Sequence, residues 1–151
     1  MLDDEDRRIL RQLQAEPTLT MPELAERARV TPARAARRVE KLEAAGVIRG
    51  REVVIDWAVL GWRVHVSLRI TVEKSAPRAL DELIAAAREV PEVIEIQTFL
   101  GRVDLRLTLV ARDMAHYQTL YRDRILTLPH IADIEALLTI ATIRDADALP
   151  L

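Results

Sequence analysis

Met21-Pro-Glu-Leu-Ala-Glu-Arg-Ala-Arg-Val-Thr-Pro-Ala-Arg-Ala-Ala-Arg-Arg-Val-Glu-Lys-Leu-Glu43 is the stretch on which the reading of the chain turns. Thr20 is a fitting N-cap for a first short helix, with Pro22 and Glu23 in its opening turn. Leu24, Ala25 and Ala28 are its inward positions, and Arg29-Val30 makes a tight turn. Thr31 caps a second helix that starts at Pro32, and Ala35, Val39 and Leu42 fall on one buried face of it. Arg34, Arg37, Arg38 and Lys41 lie away from that face. A helix held by its apolar stripe, with cations on the other side, suits phosphates and base edges in a major groove. Glu40 and Glu43 are expected toward the groove edge, because phosphate repels a carboxylate.

Working outward, Asp3 to Gln14 predicts a preceding helix with Ile9, Leu10 and Leu13 as its stripe and acids crowding its first turn, where they suit the helix dipole. Glu16-Pro17-Thr18 breaks it. Gly46 is a C-terminal stop for the basic helix. Val47-Ile48-Arg49 and Val53-Val54-Ile55, around Gly50-Arg51-Glu52, predict a small hairpin, or wing. Residues 1–55 thus read as a winged helix-turn-helix and residues 56–62 as a linker.

Residues 63–151 have another rhythm. Val64, Val66, Leu68, Ile70 and Val72 alternate with polar residues, as in a half-buried strand. A helix opened by Ser75-Ala76-Pro77 carries Leu80, Leu83, Ile84 and Ala87. Strands are expected at Val93–Leu100 and Val103–Val110 around Gly101-Arg102, then a helix capped by Asp113, then a strand from Ile131 to Ile143. The fold class is α+β: a winged helix-turn-helix followed by a ferredoxin-like β-α-β-β-α-β sandwich. Its second sheet face would be bare, and apolar residues on both faces of the second and last strands predict a second subunit there.

The bulk numbers agree. Net charge is −2, yet residues 7–51 hold eleven Lys/Arg against five Asp/Glu, while residues 52–151 hold eleven against fifteen. A basic third on an acidic remainder suggests that one part meets a polyanion. There is no cysteine, which excludes disulfides and thiolate metal sites and fits a reducing compartment. The acidic start has no apolar h-region and no run approaches a membrane span, so a soluble cytoplasmic protein is expected. His65, His116 and His130 are scattered without metal-ligand spacing, so no metal, no cofactor and no catalytic residue is expected. Trp57 and Trp62 are expected to pack at a domain or subunit boundary.

The chain also resembles the Lrp/AsnC (feast/famine) family of transcription regulators over nearly its whole length. Leu2-Asp3 through Asp6-Arg7-Arg8-Ile9-Leu10 is similar to the family's opening "LDxxDxxIL". Leu24-Ala25, Val30-Thr31-Pro32, Arg37-Arg38-Val39, Leu42-Glu43 and Gly46-Val47-Ile48 follow its helix-turn-helix pattern in order, and Gly101-Arg102-Val103-Asp104 resembles its "GxxD". The resemblance implies operator binding by the N-terminal domain. It further implies dimers, often assembled into tetramers or octamers, and an amino acid or related effector at interfaces between dimers. Many relatives carry Thr or Ser where Ile134 and Ala136 stand here, which points to an apolar amino acid or to a lost response.

Candidate DNA contacts are therefore Thr31, Arg34, Arg37, Arg38, Lys41 and Arg49, with Arg51, Thr20 and Met21 near the backbone. Candidate effector contacts are Gly101, Arg102, Asp104, Leu138 and Thr139. Asp104 would pair with the ammonium group, Arg102 or turn N–H groups with the carboxylate, and Leu138 and Thr139 would come from another chain. The expected function is a sequence-specific, amino-acid-responsive transcription regulator rather than an enzyme. The alternatives are an effector-independent architectural DNA-binding protein and a tetrapyrrole decarboxylase related to the family. The third helix keeps its basic face and no His/Arg cluster suits an acidic macrocycle, which disfavours the latter.

Overall fold

A computed structural model describes residues 2–143 and 148–151. These divide into two compact units, one of residues 2–54 with 148–151 and one of Ile55–Ile143.

The first unit holds helices α1 (Asp4–Ala15), α2 (Met21–Ala28) and α3 (Pro32–Ala44). Each starts on a capping side chain. The Asp3 carboxylate accepts from the N–H groups of Glu5 and Asp6, and the Asp6 carboxylate accepts from the Asp3 N–H. Thr20 and Glu23 form the same reciprocal capping box on α2, and Thr31 Oγ1 accepts from Arg34 N at 3.3 Å. Arg29 ends α2 in the left-handed region at φ 57°, which turns the chain sharply into α3. Ile9, Leu10, Leu19, Leu24, Ala28, Val39 and Leu42 form the core. Gln14 and Leu149 exchange side-chain-to-backbone hydrogen bonds, and Leu151 packs against this core. Residues 148–151 thus pack with the first unit.

The expected wing hairpin does not form: among the described residues, 47–55 contain no strand. Val53 and Val54 are 87% and 94% exposed. The two runs have no third strand and no core to lie on, and an isolated hairpin is marginal in water. Residues 56–62 form a turn at the start of the second unit. Trp62 N donates to Trp57 O at 2.9 Å, Gly61 N donates to Ala58 O, and the Trp57 ring stacks on His65.

The second unit has the expected order: β1 (Val64–Val72), α4 (Ala79–Arg88), β2 (Val93–Thr98), β3 (Leu105–Ala111), α5 (Met114–Leu120) and β4 (Ile131–Leu138). A π-helical turn over Tyr121–Ile125 continues α5. The sheet order is β2-β3-β1-β4, all antiparallel. Val66, Leu68 and Ile70 from β1 and Leu105, Leu107 and Leu109 from β3 face the helices, fully buried with Leu83 and Ile125. The apolar residues on both faces of the edge strands have a local cause. The register shifts between Val93 and Glu95 on β2, and opposite Thr71/Val72 on β4. Each bulge resets the alternation, so Val93 and Ile96, and Ile131 and Ile134, all reach the core. The last strand stops at Leu138 rather than Ile143. Leu138 pairs with Val66 and Thr139 N still reaches His65 O, while Ile140 and Ile143 beyond them are exposed.

The face of the sheet away from the helices is mostly polar. Arg69 lies between Glu135 and Arg106 on the neighbouring strands. Glu95 accepts from Thr108 Oγ1 at 3.0 Å and from Arg106 at 3.4 Å.

Candidate nucleic-acid interface and ligand site

The buried face of α3 is Ala35, Val39 and Leu42, as the spacing requires. Thr31, Arg34, Arg37 and Lys41 are exposed on the other side, and Arg49 is exposed beyond the helix end. A concave patch of about 540 Å³ is lined by Thr31, Ala33, Arg34, Arg37, Arg38 and Lys41. The patch is cationic, open to solvent and carried on a rigid helix, which are the properties a phosphate-binding ridge requires.

Arg38 departs from the others. Its side chain is only 21% exposed and is turned back onto the start of α1. The guanidinium meets Asp3 at 2.7 Å, Asp6 at 3.1 Å and Glu5 at 3.1 Å. Glu5 and Asp6 are the buried charged residues among those described, at 8% and 3% exposure. Burial disfavours the Arg38 cation, but the carboxylates of Asp3, Asp6 and Glu5 more than offset that and raise its pKa. Arg34 is partly engaged too: its Nε lies 2.6 Å from Glu5, although its side chain remains 62% exposed. Among the described residues no ion pair involves Arg37 or Lys41. The acids of α1 therefore do more than complement a helix dipole; they hold α1 to α3. Arg8 adds a second brace, its Nε donating to the Ala28 carbonyl at 3.0 Å. Neither contact was visible in the sequence, since each joins positions 20 or more residues apart.

In the second unit Gly101 and Arg102 are exposed at the β2–β3 turn. Asp104 is committed to the fold. Its Oδ2 accepts from Val72 N at 2.9 Å, its N–H donates to Ile70 O, and Lys74 lies 3.9 Å from Oδ1. One carboxylate oxygen thus closes the end of β1 rather than waiting free for an ammonium group. Leu138 and Thr139 sit at the opposite end of β1, since Leu138 pairs with Val66 while Asp104 bonds Ile70. Four strand residues separate those points, roughly 13 Å, so one chain does not bring these candidates together.

Trp62 packs under the Arg112 guanidinium, 5.3 Å from the ring centre, beside His116. Trp62 walls an open groove with Glu92, Asp113 and Thr119. Among the described residues no three His, Cys, Asp or Glu side chains gather as a metal site, and no helix is long and apolar enough to cross a membrane.

Residues 65–149 match the Lrp/AsnC ligand binding domain model, and residues 2–49 match a winged helix-turn-helix DNA-binding model. The glutamate uptake regulatory protein of Zymomonas mobilis is 31% identical over 99% of this chain and 91% of its own. The leucine-responsive regulatory protein of Rhizobium meliloti is 31% identical over 96% and 93%. A transcriptional regulator of Neisseria meningitidis, solved in complex with L-Met, superposes with a TM-score of 0.92 at 27% identity, covering 99% of this chain and 97% of that one. The chain belongs to the Lrp/AsnC family of transcriptional regulators. It is a regulator with a winged helix-turn-helix DNA-binding domain and an Lrp/AsnC ligand binding domain.

The Asp3 carboxyl is held below its ordinary value of 3.8, chiefly by the Asp6 backbone N–H, with Arg38 adding to the effect against a cost of burial. A lowered carboxyl pKa adds stability that is present above 3.8 and is lost as the pH falls through the folded value. Asp3→Asn keeps a cap but does not titrate. Urea unfolding should therefore show the wild-type advantage over Asp3→Asn at neutral pH shrinking below pH 3.8. An advantage that does not change with pH would remove the ionised cap from the account.

Proposed function

We propose that Arg37 and Lys41, with Thr31 at the helix start and Arg49 beyond the helix end, form the DNA-contacting surface, and that Arg38 holds the helix rather than reads DNA. The observation that carries this reading is the split on α3 between cations facing solvent and one cation tied to three carboxylates. Arg37→Ala should weaken duplex binding and flatten its salt dependence by about one charge per chain while leaving the melting temperature near wild type. Arg38→Ala should lower the melting temperature first, because it strands buried carboxylates. A gel shift in which Arg37→Ala matches wild type would refute the assignment.

The second unit is read as the effector and assembly domain. Its open sheet face, with Glu135, Arg69, Arg106 and Glu95 in neighbouring positions, offers both signs of charge to a second copy related by a two-fold axis. Leu137 adds an apolar contact, at 37% exposure. A homodimer formed there, able to assemble further, would present two α3 helices to successive turns of a major groove. Leu137→Asp should shift the mass measured by light scattering toward one chain; an unmodified protein that is already a single chain contradicts this arrangement.

An amino acid is the effector this reading favours, because a Neisseria meningitidis relative of very similar fold was solved with L-Met. Arg102, exposed at the β2–β3 turn, is the residue best placed for its carboxylate. Asp104 acts by shaping that turn, and Leu138 and Thr139 would reach the cleft only from another chain. The reading assigns no catalytic step to this chain. Calorimetric titration with the proteinogenic amino acids should give heat for at least one, lost in Arg102→Ala. Absence of heat for all of them would instead favour an effector-independent architectural role.

A further inference from the structure

Glu5 is the carboxylate that touches both Arg34 and Arg38. It belongs to α1, it is 8% exposed, and it lies on the side of α3 toward the scaffold. Arg38 keeps two further acidic partners, Asp3 and Asp6. Arg34 has Glu5 alone among the described residues, through its Nε at 2.6 Å, and the rest of its side chain lies in solvent. Thus Arg38 remains bound to α1 if Glu5 loses its charge, whereas Arg34 is released.

We propose that Glu5 is a positioning residue that withholds Arg34 from DNA phosphates, and so sets how much of the binding is independent of sequence. The proposal rests on the DNA-binding reading of α3. An arginine free to roam on the ridge can neutralise a phosphate on any duplex, and each such contact strengthens binding to every sequence alike. An arginine held by an internal carboxylate has that charge already neutralised. It leaves Glu5 only for an acceptor pair that matches its fork, such as the O6 and N7 of a guanine. The internal carboxylate therefore occupies the place a phosphate would take, and subtracts from indiscriminate binding without touching the nucleic acid.

The test uses the full chain as wild type, Glu5→Gln, Arg34→Ala and the double variant, titrated into a mixed-sequence duplex by fluorescence anisotropy. Glu5 meets Arg34 through Oε1 and Arg38 through Oε2, so glutamine keeps the side chain's size and one acceptor oxygen while removing the charge. Glu5→Gln should steepen the logarithmic salt dependence by about 0.9 per chain, so that its affinity falls roughly threefold more than that of wild type between 50 and 200 mM salt. Arg34→Ala should match the wild-type slope, because Arg34 is already withheld, and the double variant should match Arg34→Ala. A Glu5→Gln slope equal to wild type overturns the proposal. So does a steeper slope that persists in the double variant, which would make Glu5 a general charge rather than a keeper of Arg34. If Glu5→Gln does not fold by circular dichroism, Arg34→Ala alone decides: a slope shallower than wild type overturns the proposal. Failure of wild type to bind any duplex at low salt refutes the DNA-binding reading beneath it, a result distinct from each of these.

Discussion

The first unit depends on one guanidinium. Arg38 gathers Asp3, Glu5 and Asp6 at the start of α1 and so fixes the basic helix against a helix more than twenty residues earlier in the chain. The seven aliphatic side chains beneath it supply most of the burial energy, but aliphatic contact is non-directional and leaves the rotation of α3 loosely set. A bidentate cation between several carboxylates is directional. It fixes which side chains point outward, and a surface that reads a groove tolerates little rotation. The same acids also cap α1, so the helix start and the interhelical brace are one device.

The second unit solves a different problem. Its sheet is covered by helices on one face, and its two edge strands each carry a bulge. Bulged edges discourage open-ended strand addition, which leaves the exposed face as the region suited to defined association. That face holds Arg69 directly across from Arg106, a repulsive neighbour pair relieved by Glu135 and Glu95 on the flanking strands. Among the described residues Arg106 Nε lies buried without an acceptor, a polar group whose desolvation they do not offset.

Much of this was legible in the sequence wherever the signal was local. The caps at Thr20, Thr31 and Asp113, the turn at Arg29, the buried stripe Ala35–Val39–Leu42 and the strand alternation from Val64 to Val72 follow from near neighbours. Two short β-prone runs suggest a wing, but among the described residues Val53 and Val54 have nothing to pack on. The last strand ends at Leu138, five residues short of Ile143, and Ile140 and Ile143 lie exposed beyond it. The bulges at Ile94 and Ala132 mimicked a two-faced apolar pattern. Arg38 looked identical to Arg37 in a linear chain, and only the position of α1 separates them. Asp104 is an acid at a hairpin in the linear chain, and only the fold brings the Val72 N–H to it. For Arg38 and Asp104 a partner distant along the chain decides the outcome.

The chain has two tryptophans, Trp57 and Trp62, and both lie in the short turn at the start of the second unit. One stacks on His65 and the other lies under Arg112. Indole emission from this molecule is therefore a spectroscopic probe of the sheet-bearing half, while amide circular dichroism samples both halves. A melt followed by the two signals together separates loss of the helical half from loss of the sheet without any added label.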